Sequence, residues 1–300
     1  MIIVNWNTKQ LLKDCLQSIV SVGKNVAMEI IIVDNGSADG SVEMCEEFFP
    51  EFHLIKNKTN LGFGYANNQG ILASRSELLL LLNSDTLVKP GSIGKMVSRM
   101  QIDTSVGVLG CRLINSDGSN QVSCMNFPSL KTVLVERLLL YKLSIKLPKT
   151  EIEPPYTLSE IPCDWVLGAC MLIRKRALED VGLFDTNIWM YGEELELCYR
   201  IKAAGWKIVF YPDATIVHLG GGSWKSKSYS ATLLKMTGLL YLFKKHYSIT
   251  TFFMVFILSA AGALLRYFLW AVLYLYKKDE SFLQEMKANR TLLVRLSEII

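Results

Sequence analysis

The sequence predicts an α/β protein with a mostly parallel sheet and flanking helices, followed by a C-terminal hydrophobic helical segment that associates with membranes. Three observations carry this expectation. Leu78–Leu82 is an unbroken apolar run that stops at Asn83-Ser-Asp85, and a run this short fits a strand buried on both faces. The first part of the chain alternates such runs with stretches of helical spacing. Residues 251–276 are almost wholly apolar and exceed the ~20 residues needed to cross a bilayer.

The elements follow in order. Ile2–Asn5 reads as the first strand, and Leu11, Leu12, Cys15, Leu16 and Ile19 place one apolar face on a helix from Thr8 to Val22. Glu29–Asp34 reads as a second buried strand, with a helix near Asp39–Phe48 beyond an Asn-Gly-Ser turn. A third strand is expected at Phe52–Lys56, a helix at Gly62–Ser74, the fourth strand at Leu78–Leu82, a helix at Pro90–Met100 and a fifth strand at Val106–Gly110. That alternation implies right-handed crossovers and a nucleotide-binding half of Rossmann type. The second part is less regular. Leu130–Leu147 reads as an amphipathic helix, either a core or interdomain helix or a membrane-docking one. Residues 148–162 form a proline-punctuated connection. Glu193–Ala204 is a helix stopped by Gly205, and Trp206–Tyr211 a strand.

Half of the 300 residues are apolar, enough for one large core or two moderate ones. Seven scattered cysteines with no Cys-x-x-Cys pair suit neither a disulfide framework nor a zinc knuckle, and point to a reducing cytosol. Met1-Ile-Ile-Val enters a strand with no basic leader, so no signal peptide is expected. The net charge of +4 hides an asymmetry: residues 1–213 hold 21 Lys/Arg against 24 Asp/Glu, whereas residues 214–278 hold eight Lys/Arg and no acid. Basic residues among apolar ones suit an anionic membrane surface, and no nucleic-acid-binding motif accompanies them. Arg266 interrupts the apolar stretch, leaving a tilted span, a re-entrant pair or a helix lying in the headgroup zone as alternatives, beside a buried core helix.

Several clusters carry chemistry. Asp85 stands at the carboxyl end of a buried strand, where open α/β sheets place ligands, and a carboxylate there calls for a cation; helix capping or turn formation is the plainer role. Asp34, ahead of Asn-Gly-Ser, can accept from a nucleobase or ribose, with a helix N-terminus offering amides to phosphate; Asp39 and Ser41 can equally serve as caps. Asn60-Leu-Gly-Phe-Gly-Tyr-Ala-Asn67-Asn68 can bring backbone and amides to a sugar, or be a glycine-loosened helix entry. No dinucleotide fingerprint or P-loop is present. Glu193, Glu194 and Glu196 open a helix, as the dipole favours, with Glu196–Arg200 a structural pair; three acids exceed what capping needs, and one can act as a general base. His218 follows an apolar strand and would complete a mixed oxygen–nitrogen metal site if it lay near Asp85.

Taken in order, Ile3-Val-Asn-Trp-Asn7, Val33-Asp-Asn-Gly-Ser37, Asn60-x-Gly-Phe-Gly64, Asn83-Ser-Asp85, Trp165-x-x-Gly-Ala169, Phe184-Asp, Tyr191-Gly-Glu-Glu-x-Glu-Leu-Cys-x-Arg200 and His218 resemble family 2 glycosyltransferases, in particular the rhamnosyltransferase-like branch. The resemblance covers about residues 1–247. It implies a GT-A fold, with a catalytic domain over 1–247 (a nucleotide-sugar half to 127 and an acceptor half from 128); the apolar run and its basic flanks make 248–300 the expected membrane-associating segment. It implies that Asn5 and Asp34 contact the nucleobase, with Asn67, Ser84 and Asp85 also on the nucleotide sugar. Asp85 and His218 would hold Mg²⁺ or Mn²⁺, Trp165, Gly168 and Glu193 would line the acceptor site, and Glu194 would be the catalytic base. Two departures stand out: Asn83 replaces the first acid of Asp-x-Asp, and Glu194 replaces an Asp. The expected reaction is inverting transfer from a nucleotide diphospho-sugar, dTDP-rhamnose foremost, to a lipid-linked or glycan acceptor at the cytoplasmic face of the cell membrane. A catalytically silent membrane-bound glycan-binding or assembly subunit is the alternative. A nucleotidyltransferase would need a basic glycine-rich loop after the first strand, where Asn5-Trp-Asn-Thr offers none.

Overall fold

The computed structural model describes residues 1–22, 27–138, 151–152, 160–220 and 228–296. The elements in order are β1 (Ile2–Asn5), α1 (Lys9–Val22), β2 (Ile31–Asp34), α2 (Ser41–Phe48), β3 (His53–Lys56), α3 (Phe63–Ala73), β4 (Leu78–Asn83), β5 (Thr86–Val88), α4 (Ser92–Ile102), β6 (Val106–Ile114), β7 (Asn120–Gln121), β8 (Cys124–Met125), α5 (Leu130–Arg137), β9 (Glu151–Ile152), β10 (Ile161–Pro162), β11 (Trp165–Val166), β12 (Cys170–Arg174), α6 (Lys175–Val181), α7 (Glu193–Ala203), β13 (Lys207–His218), α8 (Ser228–His246), α9 (Ile249–Lys277) and α10 (Glu280–Leu296). The expected helix beyond residue 138, most of the connection over 148–162, and Lys225 and Lys227 lie outside the described residues.

The main sheet runs β10-β13-β6-β12-β4-β1-β2-β3, with β5 on β13 and β7 on β6; β11-β8-β9 form a small second sheet. The strands β3, β2, β1 and β4 are parallel, as is the β6–β13 pair. Strand β12, for which the sequence carried no expectation, enters antiparallel between β4 and β6. Its Cys-Met-Leu-Ile-Arg is as apolar as its neighbours, and local pattern does not encode direction. The strand that begins at Lys207 also continues past Tyr211 to His218, through a register shift against β6 between Tyr211 and Thr215.

Side-chain alternation in the strands builds two apolar layers. Ile3, Ile32, Leu80, Leu82, Leu109 and Leu172 face α1, α2 and α4, whose Leu12, Leu16, Ile19, Met44, Met96 and Met100 are buried on that side. Ile2, Ile31, Val33, Leu79, Leu81 and Ile173 face α3, α6 and α7. The leucine run therefore serves both faces, and its polar stop lies at the strand end. All seven cysteines are free and buried.

The chain forms two compact units. One comprises Met1–Phe127, Glu151–Trp189 and Glu193–Ser223; the other comprises Pro128–Thr150, Met190–Gly192 and Trp224–Ile300. The second has its own core of Val133 from α5, Leu233, Met236, Leu240 and Phe243 from α8, Phe252, Val255 and Ala263 from α9, and Leu292 and Leu296 from α10. Helices α8 and α10, unexpected from the sequence, thus share that core with the apolar stretch.

Candidate active site

The register of β1 against β2 sets Asn5 beside Asp34 at adjacent strand ends, and both are buried. Asn5 Nδ2 donates to Asp34 Oδ2 (2.9 Å) and Ser37 Oγ (3.1 Å), while Thr8 Oγ1 donates to Asn5 Oδ1 (2.7 Å). Ser37 N–H donates to Asp34 Oδ1 (2.9 Å). These bonds offset the desolvation of a buried carboxylate. Thr8 Oγ1 also lies 2.9 Å from Ser84 Oγ, so a hydrogen-bonded chain runs from the end of β2, across β1, to the turn after β4. Asn35 joins a further motif: its Nδ2 donates to Asn60 Oδ1 (2.9 Å) and Gly62 O (3.2 Å), and Leu61 N–H donates to its Oδ1 (3.0 Å).

Asp85 lies in the turn between β4 and β5. Antiparallel pairing of β5 with β13 puts Thr86 opposite His218, and Leu219 N–H donates to Asp85 O (2.9 Å). His218 Nε2 lies 3.4 Å from Asp85 Oδ1, with both side chains largely buried. Gln121 sets the imidazole tautomer. Its Nε2 donates to Asn115 Oδ1 (2.6 Å) and His218 O (2.7 Å), which leaves Oε1 facing His218 Nδ1 at 2.8 Å; Nδ1 therefore carries the hydrogen. In the neutral ring, the Nε2 lone pair then faces a carboxylate oxygen. A divalent cation relieves that opposition of two acceptors, as does an imidazolium proton. One carboxylate and one imidazole oriented by an outer partner suit Mg²⁺ or Mn²⁺. Among the described residues no group of three or more His, Cys, Asp or Glu could hold an ion, so ligand oxygens and water would complete the shell, as is usual for Mg²⁺.

Asn83 ends β4. Its N–H donates to Ala169 O (3.0 Å) and its C=O accepts from Thr86 Oγ1 (2.8 Å). Its side-chain Oδ1 is buried without a hydrogen-bond partner. Gly168, next to Ala169, leads to α7: a Cβ added there would lie 3.7 Å from Glu194 Oε1 and 3.5 Å from Phe63 Cε1. Glu194 Oε1 thus lies beside Gly168, one residue from the Ala169 carbonyl that accepts from Asn83 N–H.

The three acids of α7 are buried and occupy different surroundings. Glu196 pairs with Arg200 (Nη2 to Oε2, 2.8 Å), which also donates to Val181 O and Leu183 O. Glu193 is 3% exposed, lies against Gly64 of α3, and its Oε2 lacks a hydrogen-bond partner. Burial, and then the charge of Glu194, push the Glu193 carboxyl well above the usual carboxylate range. Trp165 on β11 is half-buried, with Nε1–H donating to Asn126 O (3.2 Å). Asn67 is buried and its Nδ2 donates to Phe63 O (3.0 Å) within its own helix. Its neighbour Asn68 clamps the Phe184 backbone through both amide atoms.

Sequence reasoning gave no role of their own to Thr8, Asn35, Ser37 or Gln121. Thr8 and Ser37 had a signal, since each lies three residues past a polar strand end, where side chains return to the backbone. Gln121 had none, because β7 is two residues long.

The family model described as Glycosyl transferase family 2 matches residues 1–182. The chain is 29% identical over 216 residues to the N-acetylglucosaminyl-diphospho-decaprenol L-rhamnosyltransferase of Mycobacterium tuberculosis, covering 66% of this chain and 69% of that one. It is 28% identical over 206 residues to a low-salt glycan biosynthesis hexosyltransferase of Haloferax volcanii, covering 67% of this chain and 61% of that one. Among solved structures, the mannosyltransferase PcManGT from Pyrobaculum calidifontis in complex with GDP-Man and Mn²⁺ aligns with a TM-score of 0.57 at 15% identity, covering 99% of this chain and 86% of that one. At that identity the likeness carries the fold alone.

Proposed function

The chain belongs to glycosyl transferase family 2, in its rhamnosyltransferase-like branch and with the GT-A architecture, and from that premise we propose that it is an inverting, metal-dependent enzyme of cell-surface glycan synthesis. It moves a hexose, rhamnose foremost, from a nucleotide diphospho-sugar such as dTDP-rhamnose to a lipid-linked or polysaccharide acceptor at the cytoplasmic face of the membrane. The observation that carries the reading is the facing pair Asp85 and His218, held by Gln121 and reached from Asn5 and Asp34 through Thr8 and Ser84.

In this reading Asn5 and Asp34 meet the nucleobase, and the unpartnered Asn83 Oδ1 accepts from a donor hydroxyl. Asp85 and His218 would hold Mg²⁺ or Mn²⁺, which when bound neutralises charge on the diphosphate. Glu194 takes the proton of the acceptor hydroxyl as that oxygen attacks the anomeric carbon; the bond to the nucleotide diphosphate breaks on the opposite face. Trp165 and Gly168 border the acceptor side, and Gly168 leaves room beside Glu194. Glu193 also borders the acceptor side, with its carboxyl pushed up by burial and then by the charge of Glu194.

A thermal-shift panel of nucleotide sugars with and without Mn²⁺ tests the proposal. The correct donor at about 100 times its Kd adds ~2.7 kcal/mol, more with Mn²⁺ present. Gln121→Leu, which frees the imidazole, should weaken the Mn²⁺ effect by about 10–100-fold in affinity. No stabilisation by any nucleotide sugar, with or without Mn²⁺, would sink the reading and return the silent-subunit alternative.

A further inference from the structure

Helix α9 is 29 residues long, or about 43 Å at the rise of an α-helix. Length and composition let it cross a membrane. What packs on it within its own compact unit argues for another placement. Arg266 does not face outward: its Nη1 donates to Arg137 O (2.9 Å) and its Nη2 to Glu136 O. It thereby satisfies carbonyls at the C-terminus of α5, where a cation complements the helix dipole. Gly262 permits this approach, since a Cβ there would lie 2.7 Å from Arg137 O. The end of α5, with the Arg137 guanidinium and a Glu136 side chain 41% exposed, therefore abuts the midpoint of α9. Burial, and then Arg266, lower the Arg137 pKa to about 10. Helix α10 runs back along α9, with Phe282 stacked on Trp270 (ring centroids 5.5 Å), and exposes Lys287, Arg290 and Arg295.

Were α9 to span a bilayer, the C-terminal end of α5 and its Glu136–Arg137 ion pair, Glu136 being 41% exposed, would sit at hydrocarbon depth, and α10 would bring three exposed cations along its length. The opposite side of α9 has no such conflict. Phe253, Ile257, Leu264, Phe268, Val272 and Leu275 are all at least 43% exposed and recur at helical spacing along nearly the whole helix, facing away from the buried Phe252, Val255, Ser259, Gly262 and Ala263. No charged residue interrupts them. Exposed Lys244 and Lys245 precede this face, and exposed Lys277 and Lys278 follow it.

We infer that α9 lies in the plane of an anionic phospholipid bilayer, with its uninterrupted apolar face in the acyl boundary and its lysine pairs on the headgroups, and that it does not cross. This rests on the membrane association proposed above and specifies its geometry. In-plane helices bury one face roughly 5–10 Å deep and combine apolar burial with attraction to anionic lipid. The exposed lysines at both ends fit one leaflet, where a span would place one pair on each side.

A depth profile decides it. Single nitroxide labels are placed through Phe253→Cys, Ile257→Cys, Leu264→Cys, Phe268→Cys, Val272→Cys and Leu275→Cys in the full chain, whose native thiols are all buried. Depth is read by paramagnetic relaxation on phosphatidylglycerol vesicles and on phosphatidylcholine vesicles. The expected result is one shallow depth at all six sites, with binding much weaker on phosphatidylcholine. A V-shaped profile, deepest at Leu264 near ~15 Å, would overturn the in-plane placement while leaving membrane association standing. Labels as water-exposed with vesicles as without would remove membrane association itself. Labels shielded without vesicles, together with a doubled mass in solution, would assign the face to a second copy of the chain and likewise overturn the inference.

Discussion

At the scale of single residues, Glu193 and Glu194 are buried neighbours in the first turn of α7, and the proposed mechanism gives the base to Glu194. Replacing Glu194 with Gln keeps its size and removes the base, so turnover should fall about 10²–10⁴-fold while the donor-induced rise in melting temperature persists. Near-normal turnover would remove Glu194 from the mechanism. Glu193 gives a pH prediction of definite sign. Its folded pKa is raised by burial and by Glu194, so between its unfolded value, about 4.3, and its folded value the native state binds more protons than the unfolded chain. Stability therefore declines as pH climbs through that window. Glu193→Gln, neutral at every pH, should flatten the decline and raise the melting temperature at pH 8 more than at pH 5. A variant that tracks the wild type at both values would show that this carboxyl ionises freely.

At the scale of elements, the site depends on how closely α3 approaches β1. Gly70 faces the fully buried Ile2, and an added Cβ would collide with Ile2 Cγ2. Two effects compete in Gly70→Ala. Helix propensity favours Ala by about 0.8–1 kcal/mol, whereas overpacking a filled core costs about 1–3 kcal/mol. Overpacking should win, lowering the melting temperature by a few degrees in calorimetry; a higher melting temperature would mean that Ile2 yields without cost. Strands β1, β2 and β4 and helices α1 and α2 were readable because each shows an unmixed period: apolar runs for strands covered on both sides, one apolar stripe for the helices. Strands β5 and β7 were not, since two or three residues carry no period, yet they hold Asp85 against His218 and supply Gln121.

At the scale of the whole molecule, charge is divided along the chain: residues 1–213 are slightly acidic, whereas residues 214–278 carry only cations. Association with anionic vesicles should accordingly weaken when salt rises from 0.1 to 1 M, as the Debye length falls from about 10 to 3 Å. It should not vanish, because burial of the α9 face does not depend on screening. Vesicle flotation measures this; complete release in high salt would mean that charge alone holds the protein there. Beside the two apolar layers on the sheet, the second compact unit has a core of its own, in which α5 and α8 lie with α9 and α10.

By itself the sequence determined the parallel half of the sheet, the polar strand ends that carry Asn5, Asp34 and Asp85, the ordered motifs of the family, and the existence of a long apolar helix. Each is written in a run or period of neighbouring residues, which burial reads directly. Only the tertiary structure decided the direction of β12, the pairing that brings His218 to Asp85, the burial of Glu193 and Glu194 against Gly64 and Gly168, and the turning of Arg266 onto the end of α5. Those outcomes depend on which distant side chain satisfies a buried polar group, and local pattern does not specify that partner.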